Sequence, residues 1–498
     1  MNRPGLILLL ILAAGALLRA AGLGAVDLFG DEYVHIFGAL KFRDLLGCLR
    51  LAAENPTHLV FDPLQAWLMG LFSDQLWVMR LPAVFWGLFG IAGLWRLGAR
   101  SGRWTIGAAA AALLTLSPLH IEWSRRVDFY ALMCALAVWQ ADALLRLEKD
   151  ESVWKPYCAW SVLFLHSHPY AAVMCAVHAA YLGLRGGTRA WRPFLRAWGV
   201  AALCYLPWFL YSGHHLTHRQ LFDYRWLRHK LPLGAFLLGA PSTLALSTEF
   251  FDPAKEGGAA FTWSVAAGCA FLYMSSLASV WRRKGPPVLV LCHLAVPLGL
   301  ALVVAVDLAC RAFFAPRQLI LILPFYLLAV AHGASVWLER LGRDGSRAVP
   351  AAASAAALAA FAAGALPATI ESTWSQRRSM AVWADMSGHL EKSAAPDDVI
   401  HFGNSVVASV LLYHHDRAAF RSLTGFRRTP YGMEYETAPG MRVGRRGIRA
   451  FIAPGEPGMP RPVKSRLWRV AGEDYDLSLI PPIRDRGRQK PQPPGRRK

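Results

Sequence analysis

Long apolar runs alternate with short polar loops from the N-terminus to about residue 370. An apolar run of about 20 residues has the length needed to cross the hydrocarbon core of a bilayer as a helix. The pattern therefore predicts an all-α polytopic membrane protein with about 11 transmembrane helices. The predicted spans are residues 5–24, 76–98, 104–121, 129–145, a short run ending near 165, 170–184, 197–213, 260–281, 286–306, 318–338 and 348–370.

The distribution of Lys and Arg sets the predicted orientation. Loops rich in Arg follow alternate spans, as at Arg96, Arg100 and Arg103 and again at 281–284. Because such loops stay in the cytoplasm, the N-terminus is predicted inside and the C-terminus outside. A cleaved signal peptide is the alternative for 5–24, but the weakly charged start and the many later spans favour a retained anchor.

Two segments do not fit the alternation. Residues 31–75 are too polar to span and predict amphipathic helices lying at the interface in the first external loop. Residues 231–248 are predicted to be interfacial or re-entrant, broken by Pro232 and Pro241.

The apolar pattern ends near residue 370, which predicts three parts. Residues 1–370 form the transmembrane domain, and 371–483 form a small soluble α/β region outside the membrane. There, 399–402 read as a strand and 406–413 as a helix or a second strand. The end, 484–498, is rich in Pro, Arg and Lys and is predicted to be a disordered basic tail.

Composition supports the membrane class, with 55% hydrophobic and 17% charged residues and a mean hydropathy of +0.31. The net charge of +20 would suggest nucleic acid in a soluble protein. Here much of the basic excess lies in short loops, so membrane lipids are predicted as partners and nucleic acid is not. The eight cysteines show no C-x-x-C spacing and predict neither a disulfide framework nor a metal site.

Ionisable residues gather on the predicted outer side. Asp31 and Glu32 follow Gly30 directly after the first span, where solvated residues at a helix end are the plainer interpretation. Charged and imidazole groups at the ends of several spans predict one wet cavity at the outer leaflet. The group comprises Asp31, Glu32, His58, Asp62, His120, Glu122, Arg125, Arg126, Asp128, His166, His168, Arg311 and Arg317.

Simpler interpretations exist for several members of this group. His166 and His168 also fit an interfacial turn fixed by Pro169, and Arg125 and Arg126 fit side chains reaching lipid headgroups. No spacing specifies a metal site, so the metal is unknown and the cofactor is left open, with a divalent cation as the candidate.

Several motifs, taken in order, resemble the GT-C superfamily of membrane glycosyltransferases over about residues 5–340. The resemblance is to the bacterial branch similar to protein O-mannosyltransferases and lipid A aminoarabinose transferases. The motifs are Gly30-Asp31-Glu32, Asp62-Pro63-Leu64, the stretch 117–130, the turn 166–169, and Pro316-Arg317-Gln318 with Pro324. Two features depart from the family: Arg126 and Asp128 exchange the common acid and base, and Gln318 replaces a common Tyr.

This resemblance implies transfer of a sugar from a polyprenyl-phosphate donor to a lipid, glycan or protein acceptor. It places the reaction at the outer face of the bacterial inner membrane. A carboxylate in a partly desolvated loop suits a general base, so Asp31 is the expected base. Glu32 would orient the acceptor or bind a cation. Guanidinium groups pair well with phosphate, which makes Arg126, Arg311 and Arg317 the expected phosphate ligands.

The remaining site candidates are His58, Asp62, Asp128, His166 and His168. Attack opposite the phosphate would invert the anomeric centre. A lipid or glycan transporter is the main alternative function, although charges at span ends and the lack of a visible repeat favour the enzyme. A membrane scaffold that presents residues 371–498 would not need acids and arginines from several spans on one face.

Overall fold

A computed structural model of the chain describes residues 3–25, 32, 36, 45–54, 61–73, 75–185, 189–215, 232–248, 258–283, 285–309, 314–341, 348–393, 399–402, 423–429, 432–437, 449–452, 464–470 and 473–480. The chain divides into two compact units. Unit 1 comprises Met1–Gly24 and Val34–Trp374, and unit 2 comprises Ala25–Tyr33 and Ser375–Lys498.

Each predicted span is helical in the structure. The helices are α1 (Arg3–Ala20), α2 (Leu45–Glu54), α3 (Phe61–Gly70), α4 (Leu76–Met79), α5 (Leu81–Ala99), α6 (Trp104–Leu116), α7 (Pro118–Trp123), α8 (Tyr130–Leu147), α9 (Trp154–Ser167), α10 (Ala171–Arg185), α11 (Trp191–His215), α12 (Leu233–Ala245), α13 (Ala259–Arg283), α14 (Pro287–Ala309), α15 (Leu323–Leu341) and α16 (Ala348–Ser393). Among the described residues there are also two 3-10 helices, Glu151–Val153 and Pro316–Leu321.

Within the described ranges, seven helices are long and apolar enough to cross a membrane. They are α1, α4 with α5, α8, α11, α13, α14 and the part of α16 from Ala351 to Thr373. The other helices at predicted spans, α6, α9, α10 and α15, are shorter or more polar. The prediction of a multi-pass, all-α membrane protein is confirmed.

Glycines let some of these helices approach very closely. A Cβ on Gly333 of α15 would overlap the backbone carbonyl of Leu272 in α13. A Cβ on Gly107 of α6 would likewise overlap the carbonyl of Trp95 in α5. Small residues at such contacts permit backbone-to-backbone packing between membrane helices. The interior is therefore tight where α5 meets α6 and where α13 meets α15.

The segment predicted at 231–248 forms one helix, α12, so the predicted break at Pro241 is wrong. Pro232 precedes the helix, and Pro241 lies inside it. A proline removes one backbone hydrogen bond, and a membrane helix can tolerate that loss when a neighbouring helix packs against it. Helix α12 packs against α13 in this way. Its predicted interfacial or re-entrant position stays a prediction.

The first external loop contains α2 and α3, as its pattern predicts, and their place at the interface stays a prediction. Helix α16 continues from the predicted last span to Ser393, so the helix does not end at residue 370. Its sequence from 374 to 393 lacks a proline or glycine cluster that would stop it; Gly388 stands alone.

Unit 2 contains a mixed six-stranded sheet. The strands are β1 (Val399–Phe402), β2 (Leu423–Thr429), β3 (Gly432–Thr437), β4 (Arg449–Ile452), β5 (Lys464–Val470) and β6 (Glu473–Ile480), in the spatial order β2-β3-β4-β1-β6-β5. Strands β1 and β4 pair in parallel, and the other pairs are antiparallel. Strand β1 has the predicted bounds, whereas 406–413 and 484–498 lie outside the described residues.

Candidate functional site

The stretch from Ser117 to Tyr130 carries most of the candidate chemistry. Pro118 begins the short helix α7, and a turn then leads into α8. Every residue from 117 to 130 is buried, including the charged side chains. The sequence places these charges in an external polar loop, but the structure packs them inside the protein. Buried charges are costly unless they are paired, and the Arg126 Nη2 atom lies 3.6 Å from Glu122 Oε1.

The indole ring of Trp123 is the centre of this site. The guanidinium carbon of Arg126 lies 5.7 Å from the ring centroid, and that of Arg317 lies 5.6 Å from it. Arg317 also lies 5.7 Å from the ring of Tyr130, which packs 4.5 Å from the indole. We call Glu122, Trp123, Arg126, Tyr130 and Arg317 the Trp123 cluster. The cluster thus brings two arginine side chains and two aromatic rings into one buried region, and guanidinium groups pair well with anions.

The 3-10 helix that carries Arg317 is fixed by a buried hydrogen-bond network. The amide Nε2 of Gln318 donates to Asp307 Oδ2 at 2.6 Å and to the Tyr170 hydroxyl at 2.9 Å. The Tyr170 hydroxyl donates to Asp307 Oδ1 at 2.9 Å. On the other side, Gln318 Oε1 accepts the backbone N–H of Ala315 at 3.0 Å, at the start of the helix. The network joins the ends of α10, α14 and the 3-10 helix beside the cluster.

His168 connects the same network to the turn before α8. Its ring stacks on Phe129 with centroids 4.5 Å apart, and its Nδ1 accepts the N–H of Tyr170 at 3.0 Å. Burial lowers the pKa of His168 to about 3, so the ring is neutral at pH 7. Asp128 fixes the turn from the other side, because its Oδ1 accepts the N–H of Phe129 at 2.7 Å.

Two further arginines support this face of the bundle through backbone carbonyls. Arg19, buried in α1, donates to the carbonyls of Leu114 and Thr115 at 3.3 Å and contacts His120 Nδ1 at 2.7 Å. Arg125 donates to the carbonyls of Leu18 and Ala21 at 3.2 and 2.8 Å. These contacts attach the end of α1 to α7, and they show that Arg125 binds protein and not a lipid headgroup.

The structure thus brings together four of the predicted site residues: Arg126, Asp128, His168 and Arg317. His166 lies apart, with its Nδ1 2.8 Å from the Val162 carbonyl and its ring centroid 5.2 Å from that of Tyr205. Glu32 is buried and belongs to unit 2. Asp62 lies in α3. Asp31, His58 and Arg311 lie outside the described residues.

Sequence reasoning did not select Trp123, Tyr130, Tyr170, Asp307 or Gln318 as site residues. The sequence marks Gln318 only as a departure from the family. Asp307 falls just after the predicted span 286–306, although it lies within α14. The sequence does indicate that Arg19 has a buried partner, because a single charge inside an apolar span is uncommon and needs one. No such indication exists for Tyr170, because an aromatic residue at a span end is ordinary.

Within the part of the chain that the structure describes, no three His, Cys, Asp or Glu side chains are grouped to hold a metal ion. A divalent cation stays the candidate cofactor that the sequence predicts.

Comparison with known proteins gives a match to one family model over part of the chain. Residues 56–211 match the family model described as dolichyl-phosphate-mannose-protein mannosyltransferase. That range includes α5 to α10 and the whole of the buried stretch 117–130. None of the curated proteins matches the chain in sequence.

Several solved structures are similar to this chain at low sequence identity. ArnT from Cupriavidus metallidurans in the apo state has a TM-score of 0.50 and 13% identity, covering 79% of this chain and 81% of that one. The same protein bound to undecaprenyl phosphate has a TM-score of 0.49 and 14% identity, and the match covers 80% of this chain and 83% of that one. The archaeal oligosaccharyltransferase AglB from Archaeoglobus fulgidus, in complex with an inhibitory peptide and a dolichol-phosphate, gives 0.49 and 13%, covering 91% of this chain and 65% of that one.

The apo structure of the Archaeoglobus fulgidus oligosaccharyltransferase has a TM-score of 0.48 and 12% identity. The match covers 79% of this chain and 58% of that one, so this chain spans less than two thirds of that protein's length. The resemblance to the GT-C superfamily of membrane glycosyltransferases that the motifs predict is confirmed by the family model and by the shared fold.

Proposed function

We propose that this chain, a multi-pass membrane protein with the fold of the GT-C glycosyltransferases, transfers a sugar from a polyprenyl-phosphate donor to an acceptor. The acceptor would be a lipid, a glycan or a protein, and the reaction would take place at the outer face of the bacterial inner membrane. The match to the family model described as dolichyl-phosphate-mannose-protein mannosyltransferase supports a lipid phosphate as the ligand class. The predicted orientation, with Arg-rich loops inside, supports the outer face.

The observation that carries this proposal is the pair of buried guanidinium groups at Trp123. Arg126 and Arg317 come from distant parts of the chain and lie 5.7 and 5.6 Å from one ring centroid. The electrostatic attraction between a guanidinium and a phosphate is stronger where water is excluded than at an exposed surface. Guanidinium forks also match the geometry of phosphate oxygens. Two such groups would hold the donor phosphate and stabilise the charge it gains on leaving, and Arg311 is the proposed third ligand.

The chemistry divides between a base and these cations. Asp31 would take the proton from the acceptor hydroxyl or amine as that atom attacks the anomeric carbon from the face opposite the phosphate. The bond from the anomeric carbon to the phosphate oxygen breaks, its electron pair stays on that oxygen, and the configuration inverts. Glu32 would orient the acceptor or bind a divalent cation. Support for these two roles comes from their position after Gly30 and from the family resemblance.

The remaining candidates would act as supports. Asp128 and His168 hold the turn before α8 and lie beside the cluster. His58, Asp62 and His166 stay proposed members of the outer cavity on their sequence positions.

The direct test is incubation of the purified full-length chain with labelled polyprenyl-phosphate sugars and a mixture of lipid, glycan and protein acceptors. We expect label in an acceptor together with an equal amount of released polyprenyl phosphate. Movement of the intact lipid across a liposome membrane without release of the sugar would contradict the proposal and indicate a transporter.

An Arg317→Gln variant tests the phosphate site. Loss of a charge-assisted bond costs about 1.5–3 kcal/mol, so the KM for the donor should rise roughly 10- to 100-fold. The control is Arg103→Gln, which removes the same charge from a half-exposed arginine paired with Glu339. It should leave the KM unchanged. An equal rise in both variants would indicate general electrostatic attraction, without a specific phosphate site.

A further inference from the structure

A second cluster of arginines lies at the other end of α8. Asp142 in α8 is fully buried, and three guanidinium groups surround its carboxylate. Arg96 Nε lies 3.1 Å from Oδ2, Arg146 Nε lies 3.2 Å from Oδ2, and Arg100 Nε donates to Oδ1. We call these four residues the Asp142 cluster. Asp142 is 12 positions after Tyr130, which places the cluster about 18 Å along α8 from the Trp123 cluster.

The charge of this cluster exceeds what Asp142 needs. One arginine would balance the formal charge of the buried carboxylate, whose two oxygens can accept hydrogen bonds from several donors. Three arginines on one acid leave a formal excess of two positive charges. The carboxylate thus balances the formal charge of one arginine and leaves the charge of the other two unbalanced within the cluster.

The orientation of the arginines points to a second anion. All three approach Asp142 through Nε, so their terminal nitrogens remain on the outer sides of the cluster. Among the described residues these side chains make no other hydrogen bond or ion pair, although the Arg96 guanidinium also lies 5.8 Å from the ring centroid of Trp139. Their side chains are 50%, 24% and 31% exposed for Arg96, Arg100 and Arg146 respectively. The cluster therefore offers unused donors to a ligand that arrives from outside the protein.

The position of the cluster selects the ligand. Arg96 and Arg100 lie at the end of the candidate span Leu76–Ala99, and Arg146 lies at the end of the span Tyr130–Leu147. Side chains at span ends meet the headgroup layer of the bilayer. Arginine nitrogens pair with phosphate oxygens, and anionic lipids concentrate such phosphates at that depth. We propose that the Asp142 cluster binds the phosphate of an anionic lipid headgroup, at the end of the bundle opposite the Trp123 cluster.

The variant that tests this site is Arg96→Gln, which leaves Arg100 and Arg146 to neutralise Asp142. The matched control is again Arg103→Gln, because Arg103 is 51% exposed, carries the same charge and already has Glu339 as its partner. The purified full-length proteins are equilibrated with equal amounts of phosphatidylglycerol and phosphatidylcholine in detergent. Native mass spectrometry then counts the lipids retained by each protein.

We expect wild-type protein and Arg103→Gln to retain phosphatidylglycerol in preference to phosphatidylcholine. Arg96→Gln should reduce that preference about five-fold, the factor that corresponds to one arginine at an anionic surface. Inorganic phosphate at the same concentration should not displace the lipid.

Two results would overturn the proposal. Equal lipid retention in the two variants would mean that surface charge in general attracts the lipid. Displacement by inorganic phosphate would mean that the cluster holds a free anion. Melting temperatures of both variants in detergent, measured in parallel, show that each is folded; if Arg96→Gln is not, Arg146→Gln provides the same comparison.

Discussion

At the scale of single residues, Trp123 allows two buried arginines to occupy one small region. Guanidinium groups repel each other, and burial increases that repulsion. The negative face of an indole ring attracts both cations, and Glu122 lies beside Arg126. Both guanidinium groups therefore lie against one aromatic side chain, and this arrangement supports the proposed phosphate site.

The proposed base can be tested at the same scale. Asp31→Asn keeps the size of the side chain but cannot accept a proton, so the transfer rate should fall by about 10²–10⁴-fold. Donor binding should be unchanged, because the phosphate ligands remain. The rate is measured with saturating labelled donor in liposomes. Asp150→Asn, in the exposed loop after α8, is the control and should transfer at the wild-type rate; near wild-type activity of Asp31→Asn would exclude Asp31 as the base.

His168 predicts a pH dependence of stability. Because burial lowers its pKa to about 3, the unfolded chain binds a proton below its ordinary pKa of about 6.5 while the folded chain does not. The stabilising contribution of neutral His168 to the free energy of unfolding is therefore complete above pH 6.5 and is lost as the pH falls toward 3. The free energy of unfolding then changes by at most about 1.4 kcal/mol per pH unit.

The comparison that isolates this effect is His168→Asn, whose side-chain oxygen can replace Nδ1 as the acceptor for Tyr170. The apparent melting temperature in detergent is measured from pH 7 to pH 4. The decrease should be smaller in the variant than in the wild type. Parallel curves would show that His168 does not take up a proton on unfolding in this range.

At the scale of elements, the 3-10 helix Pro316–Leu321 depends on its neighbours. Six residues in this conformation have little stability of their own. Pro316 fixes the first backbone angle, and Gln318 links the helix to Asp307 and Tyr170. The position of the Arg317 guanidinium therefore depends on a hydrogen-bond network that includes the ends of two longer helices.

Gln318 is thus expected to be a positioning residue. Gln318→Leu keeps the volume but removes the bonds to Asp307, Tyr170 and Ala315, so donor affinity should fall about tenfold through displacement of Arg317. The measurement is a double-mutant cycle of donor KM with Arg317→Gln. If Gln318 acts through Arg317, the double variant should be little worse than Arg317→Gln alone. Additive effects would show that Gln318 acts independently of Arg317.

At the scale of the whole molecule, unit 1 has two chemically different ends. The Trp123 cluster lies at the start of α8, and the Asp142 cluster lies near its end. Glu148 binds Arg185 at 2.9 Å, and Glu151 binds Arg189 at 2.6 Å, beyond the same end of α8. The arginine-rich end matches the side that the positive-inside rule places in the cytoplasm.

This arrangement leads to a topology prediction. Ala351–Thr373 should cross the membrane, which places the residues after Asp398 outside the cytoplasm. A reporter that is active only in the cytoplasm should be silent when fused after Asp398. The same reporter fused after Asp150, between α8 and α9, should be active. Reporter activity after Asp398 would mean that this segment, or one of the earlier predicted spans, does not cross the membrane.

Much of the architecture is readable along the chain, because each membrane helix must supply its own apolar length and satisfy its own backbone hydrogen bonds. That local requirement is why all the predicted spans are helices. The break predicted at Pro241 is wrong, and the apolar pattern does not indicate that α16 continues to Ser393. Because α12 packs against α13, it continues through Pro241 as one helix. Helix α16 continues past its last apolar turn because the sequence there has no proline or glycine cluster that would end it.

The sequence by itself determined the membrane class, the bounds of most helices and the concentration of ionisable groups in stretch 117–130. These properties depend on neighbouring residues and on their transfer from water to lipid. Only the tertiary structure decided that Arg126 and Arg317 face one indole ring. It likewise decided that Tyr170 meets Gln318 across 148 positions, and that three arginines meet Asp142. Such contacts depend on how the helices pack together. The hydrophobic pattern of one helix does not show which side chains of another helix its end will contact.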